Sequence, residues 1–183
     1  MIILYLGRRG AGKSLTMTKD AYQYYKDGWT VYSNIDLNFP HEFMSNEDIL
    51  KIGDGDLENV ILVIDEIQIL VDSRRSPSKA NLDFSHFIQQ IRKRHIIILC
   101  TAQYGGTVDV RLRQHVDIIA RPQYNKKFKV CAVRYIDVTV TDIDDLYQEP
   151  QSVEVVYNAI PLFELYNTDN IIRYKKKEKV TGS

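Results

Sequence analysis

The sequence predicts a three-layer α/β fold around a mostly parallel sheet, and three observations predict it. Short apolar runs rich in Ile and Val recur at Ile2–Leu6, residues 30–34, Val60–Ile64, residues 96–100 and residues 116–120. They are nearly continuous rather than alternating, which is the pattern of strands buried on both faces. Segments of helical period lie between them, and alternation of strand with helix covers both faces of one sheet. The third observation is size and composition. With 183 residues, 44% of them hydrophobic and 26% charged, the chain has the make-up of an ordinary globular protein of about one domain. Disordered, collagen-like and coiled-coil chains are excluded, and no run of 18 apolar residues is present to cross a bilayer.

The elements follow in order. The first strand is expected at Ile2–Leu6. A helix is expected over residues 14–27, ended by Gly28. Ser45 with Asp48 has the spacing of a capping box for a short helix that Gly53 would stop. In residues 82–95, Phe84, Phe87, Ile88 and Ile91 fall at i, i+3, i+4 and i+7, one apolar face of a helix. Residues 117–121 and 128–135, joined by PQYNKK, are expected to form an antiparallel hairpin at the sheet edge. The last apolar run, residues 153–165, has no clear periodicity. With no repeats and no low-complexity linker, residues 1–183 are expected to be one domain, with a core at 1–121 and an edge hairpin and C-terminal extension at 122–183.

Charge is balanced overall, at 24 basic and 24 acidic residues, which argues against a general polycation. It is nevertheless segregated. Residues 36–72 hold ten acids against Lys51, and residues 84–134 hold ten bases against Asp109 and Asp117. Residues 137–154 carry six acids and no base, and residues 173–179 are basic again. This pattern suits either solvated faces, or a ring subunit whose acidic and basic sides meet, or a localised polyanion site. Cys100 and Cys131 lie in apolar runs without CxxC spacing and read as reduced core residues. The opening MIILYL lacks a basic lead-in and a small-residue cleavage site, so no secretory leader is expected.

The chemistry begins at Gly7-Arg8-Arg9-Gly10-Ala11-Gly12-Lys13-Ser14, which fits G-x-x-x-x-G-K-[ST] between a strand and a helix. Glycines let backbone N–H groups turn inward around phosphates, and the helix N-terminus adds partial positive charge. Gly7 through Ser14, with Leu15, are the expected nucleotide-binding residues. Lys13 would reach the β- and γ-phosphates of ATP, and Ser14 would hold Mg²⁺.

Val60–Ile64 then delivers Asp65 and Glu66 to the C-terminal end of a buried strand, where open α/β sheets bind ligands. Asp65 is expected in the Mg²⁺ shell and Glu66 as the base that polarises water. Small-molecule kinases need no such carboxylate, whereas hydrolases do. Thr101-Ala102-Gln103 ends the next strand, with Gln103 as a sensor of the γ-phosphate or simply a loop residue. Arg111 and Arg113, and also Arg92 and Arg94, are candidates for an arginine that a neighbouring subunit supplies. Surface solubility is the alternative for each.

YKDGWTVYSNIDL, VIDEIQ, the helix ending RKRH, IIILCTAQ and VDVRLR together resemble the Zot-type branch of the FtsK–HerA superfamily, over residues 1–121. LYNTDNII resembles a Tyr-x-Thr element of such proteins. The resemblance implies a P-loop NTPase of the ASCE/RecA-like type, and gives Lys13, Ser14, Asp65, Glu66 and Gln103 the nucleotide-site roles above. It also implies a self-associated ring acting on double-stranded or single-stranded DNA, with viral capsid or membrane partners. Zot-type phage proteins usually carry a membrane-spanning segment and a periplasmic tail. This chain has neither, which favours a viral genome-packaging motor in the host cytoplasm or on the virion over a phage-extrusion ATPase. A nucleotide kinase is a third reading, opposed by Glu66 and Gln103. A GTPase is a fourth, opposed by the missing Asn-Lys-x-Asp, since Asn125-Lys126-Lys127 continues to Phe128.

Overall fold

The computed structural model describes residues 1–50, 52, 57–70, 86–139 and 151–166. Along the chain run β1 (Ile2–Leu6), α1 (Lys13–Lys26), β2 (Thr30–Ser33), β3 (Glu42–Phe43), α2 (Asn46–Leu50) and β4 (Val60–Ile64). Then come α3 (86–90), β5 (Ile97–Ala102), α4 (Val110–Arg113), β6 (Ile118–Asn125), β7 (Val130–Asp137) and β8 (Ser152–Asn158). A 3-10 turn, Ile160–Leu165, follows β8. The expected stop at Gly53, the helix start at 82–85, residues 167–172 of LYNTDNII and the basic stretch 173–179 lie outside the described residues.

The eight strands form one sheet in the order β3-β2-β4-β5-β1-β6-β7-β8. Every pairing from β3 to β6 is parallel, and β7 and β8 are added antiparallel. The two-residue period of a strand sends neighbouring side chains to opposite faces. Ile2, Leu4, Val60, Leu62, Ile64, Ile98 and Cys100 therefore join Phe87, Ile88 and Ile91 of the α3 side in one core. Ile3, Tyr5, Ile61, Val63 and Leu99 meet Met17 and Ala21 of α1 in the other. Two cores on one sheet make the three layers the sequence predicts. A fully buried Ile or Leu in either contributes about 1.5–3 kcal/mol of transfer free energy.

Helix α1 ends as its sequence dictates. The Gly28 N–H donates to the Tyr25 carbonyl, and the Trp29 N–H to the Tyr24 carbonyl. Gly28 adopts φ +90°, a conformation that costs glycine nothing. The ring of Trp29 closes edge-on against Tyr24. The capping box before α2 also forms, with Ser45 and Asp48 bonding each other's backbone N–H.

The edge hairpin differs from expectation in length. Strand β6 does not stop at Arg121 but runs through Pro122 to Asn125, paired with β7 throughout. Parity explains how proline is tolerated. The Tyr124 N–H points to the Ala11 carbonyl of the phosphate loop, so the Pro122 nitrogen, two residues earlier, faces the same side. There β1 pairs with β6 only as far as Ala120, and no ladder bond is lost. Beyond the hairpin, residues 153–165 divide into the edge strand β8 and the 3-10 turn.

Candidate functional site

The loop between β1 and α1 is shaped by its glycines. Gly10 and Gly12 sit at φ +79° and +96°, where a side chain would be strained. A Cβ on Gly12 would also come within 3.2 Å of Cys131 Sγ and Tyr124 Cβ. The Ala11 N–H donates to the Arg8 carbonyl, and the Thr16 N–H to the Gly12 carbonyl, the first rung of α1. Lys13 Nζ donates back to the Arg8 carbonyl at 3.3 Å, which folds the lysine over the loop. Partial burial lowers its pKa, against the pull of the Asp65 and Glu66 carboxylates. A partly desolvated ammonium gains more from a phosphate than a fully hydrated one does. Arg8 and Arg9 are exposed, and Leu15 is buried in the helix root.

The acid pair arrives where β4 ends. Ser14 Oγ donates to Asp65 Oδ1 at 3.0 Å, so residues 51 apart in sequence meet at the loop. Thr101 Oγ1 donates to the same oxygen at 2.7 Å and accepts the Glu66 N–H at 2.8 Å. Asn34 closes the other flank. Its Oδ1 accepts the Asp65 N–H and its Nδ2 donates to the Asp65 carbonyl, so one side chain grips the backbone of Asp65 on both sides of its Cα. Glu66 then takes a left-handed backbone conformation, φ 55°, where the chain leaves β4 for a 3-10 turn at Ile67–Ile69.

Sheet order accounts for this convergence: β5 lies directly beside β4, so Thr101 near its end reaches the acid pair. Among the described residues it is Thr101, and not Gln103, that bonds the acid pair. Gln103 stands half-buried just past the end of β5. Sequence reasoning places Thr101 in the same polar triplet without giving it a role, and assigns Gln103 to the γ-phosphate, a contact separate from this one. It passed over Asn34 altogether, although a polar residue ending an apolar strand is the signal that picked out Asp65.

The donor set suits Mg²⁺. Ser14 Oγ and Asp65 Oδ1 are hard oxygen donors side by side, and Mg²⁺ is usually held by one or two protein oxygens completed by phosphates and water.

The candidate arginines separate. Arg111, with its side chain 37% exposed, is held by Asp109 through Nε and Nη2 at 2.9 and 2.8 Å. That pairing holds the Asp109 carboxyl below its ordinary range. Arg113 lies on the same short helix, half-buried. Arg92 pairs with Asp117, which also accepts the Ile2 N–H. This places Arg92 at the start of β1, the end of the sheet opposite the phosphate loop. Arg94 bonds Gln90 at that same end.

A polar network anchors the other side of α1. Asp20 accepts the Tyr5 and Tyr135 hydroxyls at 2.7 and 2.9 Å, and Thr16 Oγ1 meets the Tyr157 hydroxyl of β8 at 2.7 Å. Burial first, then the Asp20 carboxylate, pushes the Tyr135 phenol well above its ordinary range.

A glycine-rich strand–loop–helix, an acid pair on a nearby parallel strand and a bridging polar strand between them define a P-loop NTPase fold of the RecA-like type. No family model matches the chain, and no curated protein matches it in sequence. Solved structures do. The N-terminal domain of zonular occludens toxin from Neisseria meningitidis is 20% identical, with a TM-score of 0.63 over 90% of this chain and 97% of that one. The genome packaging NTPase B204 from Sulfolobus turreted icosahedral virus 2, in complex with ATP-gammaS, is 14% identical, with a TM-score of 0.54 over 75% and 92%. The ATPase domain of G40P is 12% identical, with a TM-score of 0.51 over 91% and 84%.

Proposed function

We propose that this chain is an ATP-hydrolysing, DNA-translocating motor subunit, of the kind that packages viral genomes. The observation that carries the proposal is the meeting of Ser14 and Asp65 at the loop, with Glu66 next in sequence. The loop N–H groups and Lys13 bind the β- and γ-phosphates, and Ser14 with Asp65 holds Mg²⁺. Held there, Mg²⁺ would neutralise charge on a transferring phosphoryl group. Thr101 and Asn34 fix Asp65 from both flanks, which leaves Glu66 to orient and deprotonate the attacking water. Arg111 or Arg113 is then the arginine offered to the neighbouring subunit's nucleotide, and Asp109 holds Arg111 in a defined posture until that neighbour arrives.

The DNA element of the proposal is supported by the β6–β7 turn. Lys126, Lys127 and Lys129 cluster there around Phe128, which is 65% exposed. Asn125 Oδ1 accepts the N–H groups of both Lys127 and Phe128, so the turn is built rather than slack. Cations flanking an exposed ring suit a phosphate backbone and its bases, with little sequence preference. In this reading the subunits form a ring around DNA in the host cytoplasm or on the virion. The similarity to the zonular occludens toxin domain favours a second reading, an extrusion ATPase that works with a membrane partner. No helix among the described residues is long and apolar enough to cross a membrane.

The test is ATP hydrolysis with and without double-stranded and single-stranded DNA, alongside the mass of the assembly. A ring whose turnover rises with DNA is expected, and Lys13→Ala should abolish that turnover. A monomer whose turnover ignores DNA would refute the motor.

A further inference from the structure

After β8 the chain forms a strap across the face of α1. The Ala159 N–H donates to the Lys129 carbonyl at 2.8 Å, beside the hairpin turn. At the far end the Asn38 N–H and Nδ2 donate to the carbonyls of Leu165 and Glu164, at 2.8 and 2.7 Å. Tyr166 bridges to Leu37. The strap is therefore fixed at both ends, with Phe163 in its middle. The Phe163 ring stands edge-on to Tyr124, with centroids 5.8 Å apart, and is still 37% exposed. Tyr124 in turn lies against the phosphate loop, where its N–H meets the Ala11 carbonyl at 3.0 Å.

The direction of a bound nucleotide follows from the sheet. Its terminal phosphate belongs with Asp65 and Glu66 at the end of β4. The strand order β4-β5-β1-β6 then runs the phosphates back across β1 and sets the nucleoside down on the β6 side. Tyr124 and Phe163 are aromatic residues on that side, next to the phosphate loop.

We propose that the Phe163 ring, braced by Tyr124, is the platform on which the nucleotide's base stacks. This rests on the phosphate-loop reading above, and makes Phe163 the residue that separates a nucleoside triphosphate from any other polyphosphate. The pair supplies a flat apolar face and no base-specific hydrogen bond, so it favours purines by their area without reading one purine from another.

The test is titration calorimetry of the whole chain with Mg²⁺ and either ATP or inorganic tripolyphosphate. Phe163→Leu keeps apolar bulk against Tyr124 but removes the ring. It should weaken ATP about 5- to 150-fold, the range a single base–aromatic stack supplies, and leave tripolyphosphate within twofold. Phe163→Tyr should restore ATP binding. Unchanged ATP affinity in Phe163→Leu, or an equal loss for ATP and tripolyphosphate, would overturn the platform while leaving the phosphate loop standing. A wild-type chain that binds neither ligand would refute the phosphate loop, and the platform with it.

Discussion

Replacing Thr101 by valine tests whether the bridge between β4 and β5 sets the acid pair. The substitution keeps shape and volume but deletes one hydroxyl, which donates to Asp65 Oδ1 and accepts the Glu66 N–H. Thr101 is fully buried, so water does not readily replace it. An orphaned donor in such a place costs about 1–3 kcal/mol, and the lost bond to a charged carboxylate adds about 1.5 kcal/mol or more. Together these predict a loss of about 2.5–4.5 kcal/mol or more. For a chain of this size each kcal/mol moves the midpoint by about 2–4 °C, so a fall of roughly 5–18 °C or more is expected. Turnover should fall by about 10- to 100-fold, the usual cost of losing a residue that orients a metal ligand, with Thr101→Ser recovering most of both. Thermal denaturation and steady-state ATP hydrolysis measure the two quantities separately. If Thr101→Val melts and hydrolyses like the wild type, Thr101 does not hold the acid pair and the alignment of Glu66 needs another cause.

Glu66→Gln should bind ATP normally yet turn over about 100-fold more slowly or worse, since the amide keeps the shape but cannot take a proton; equal rates would exclude Glu66 as the base. Arg111→Ala or Arg113→Ala should lose hydrolysis and keep ATP binding, and mixing with Lys13→Ala subunits should restore activity. Mixed rings that form but stay inactive would show that these arginines do not act across an interface. The Cys100 thiol is pushed by burial from its ordinary value of 9.0 up to about 12. The folded state then keeps a proton that the unfolded state releases, so this contribution is intact below about pH 9 and is lost as the pH rises toward 12. Urea midpoints of wild type and Cys100→Ala should therefore converge over that interval, and a constant difference would argue that the thiol ionises alike in both states.

What the sequence made legible was what a single element decides. Val60–Ile64 is a run of five apolar residues ending in Asp65-Glu66, and the structure gives that strand with the same ends. Helix α1 begins one residue before the expected start because the phosphate loop hands its last glycine to the N-cap. Elements decided by partners were not legible. Strand β3 is two exposed residues, Glu42 and Phe43, formed because β2 offers an edge. In β8, Val153, Val155 and Val156 are all exposed, so no buried face imposes a period. The site divides in the same way. The loop and acid pair are local motifs, whereas the Thr101 and Asn34 contacts depend on which strands the sheet sets side by side.

The bond between Thr16 and Tyr157 has a consequence for how the protein is made. Its partners are separated by 141 residues, so at the usual pace of about 5–20 residues per second the ribosome needs roughly 7–28 s to supply the second after the first. During that interval the phosphate loop and the acid pair have both been synthesised, but α1 lacks its Tyr157 partner, β7 lacks its neighbour on the outer side and the strap does not exist. Pairings of such separation are also slow to close after synthesis, because chain entropy must be lost before they form. Nascent chains released before β8 should therefore carry every sequence motif of the nucleotide site and still fail to hold it rigid, so competence for ATP is reached late in the life of the polypeptide.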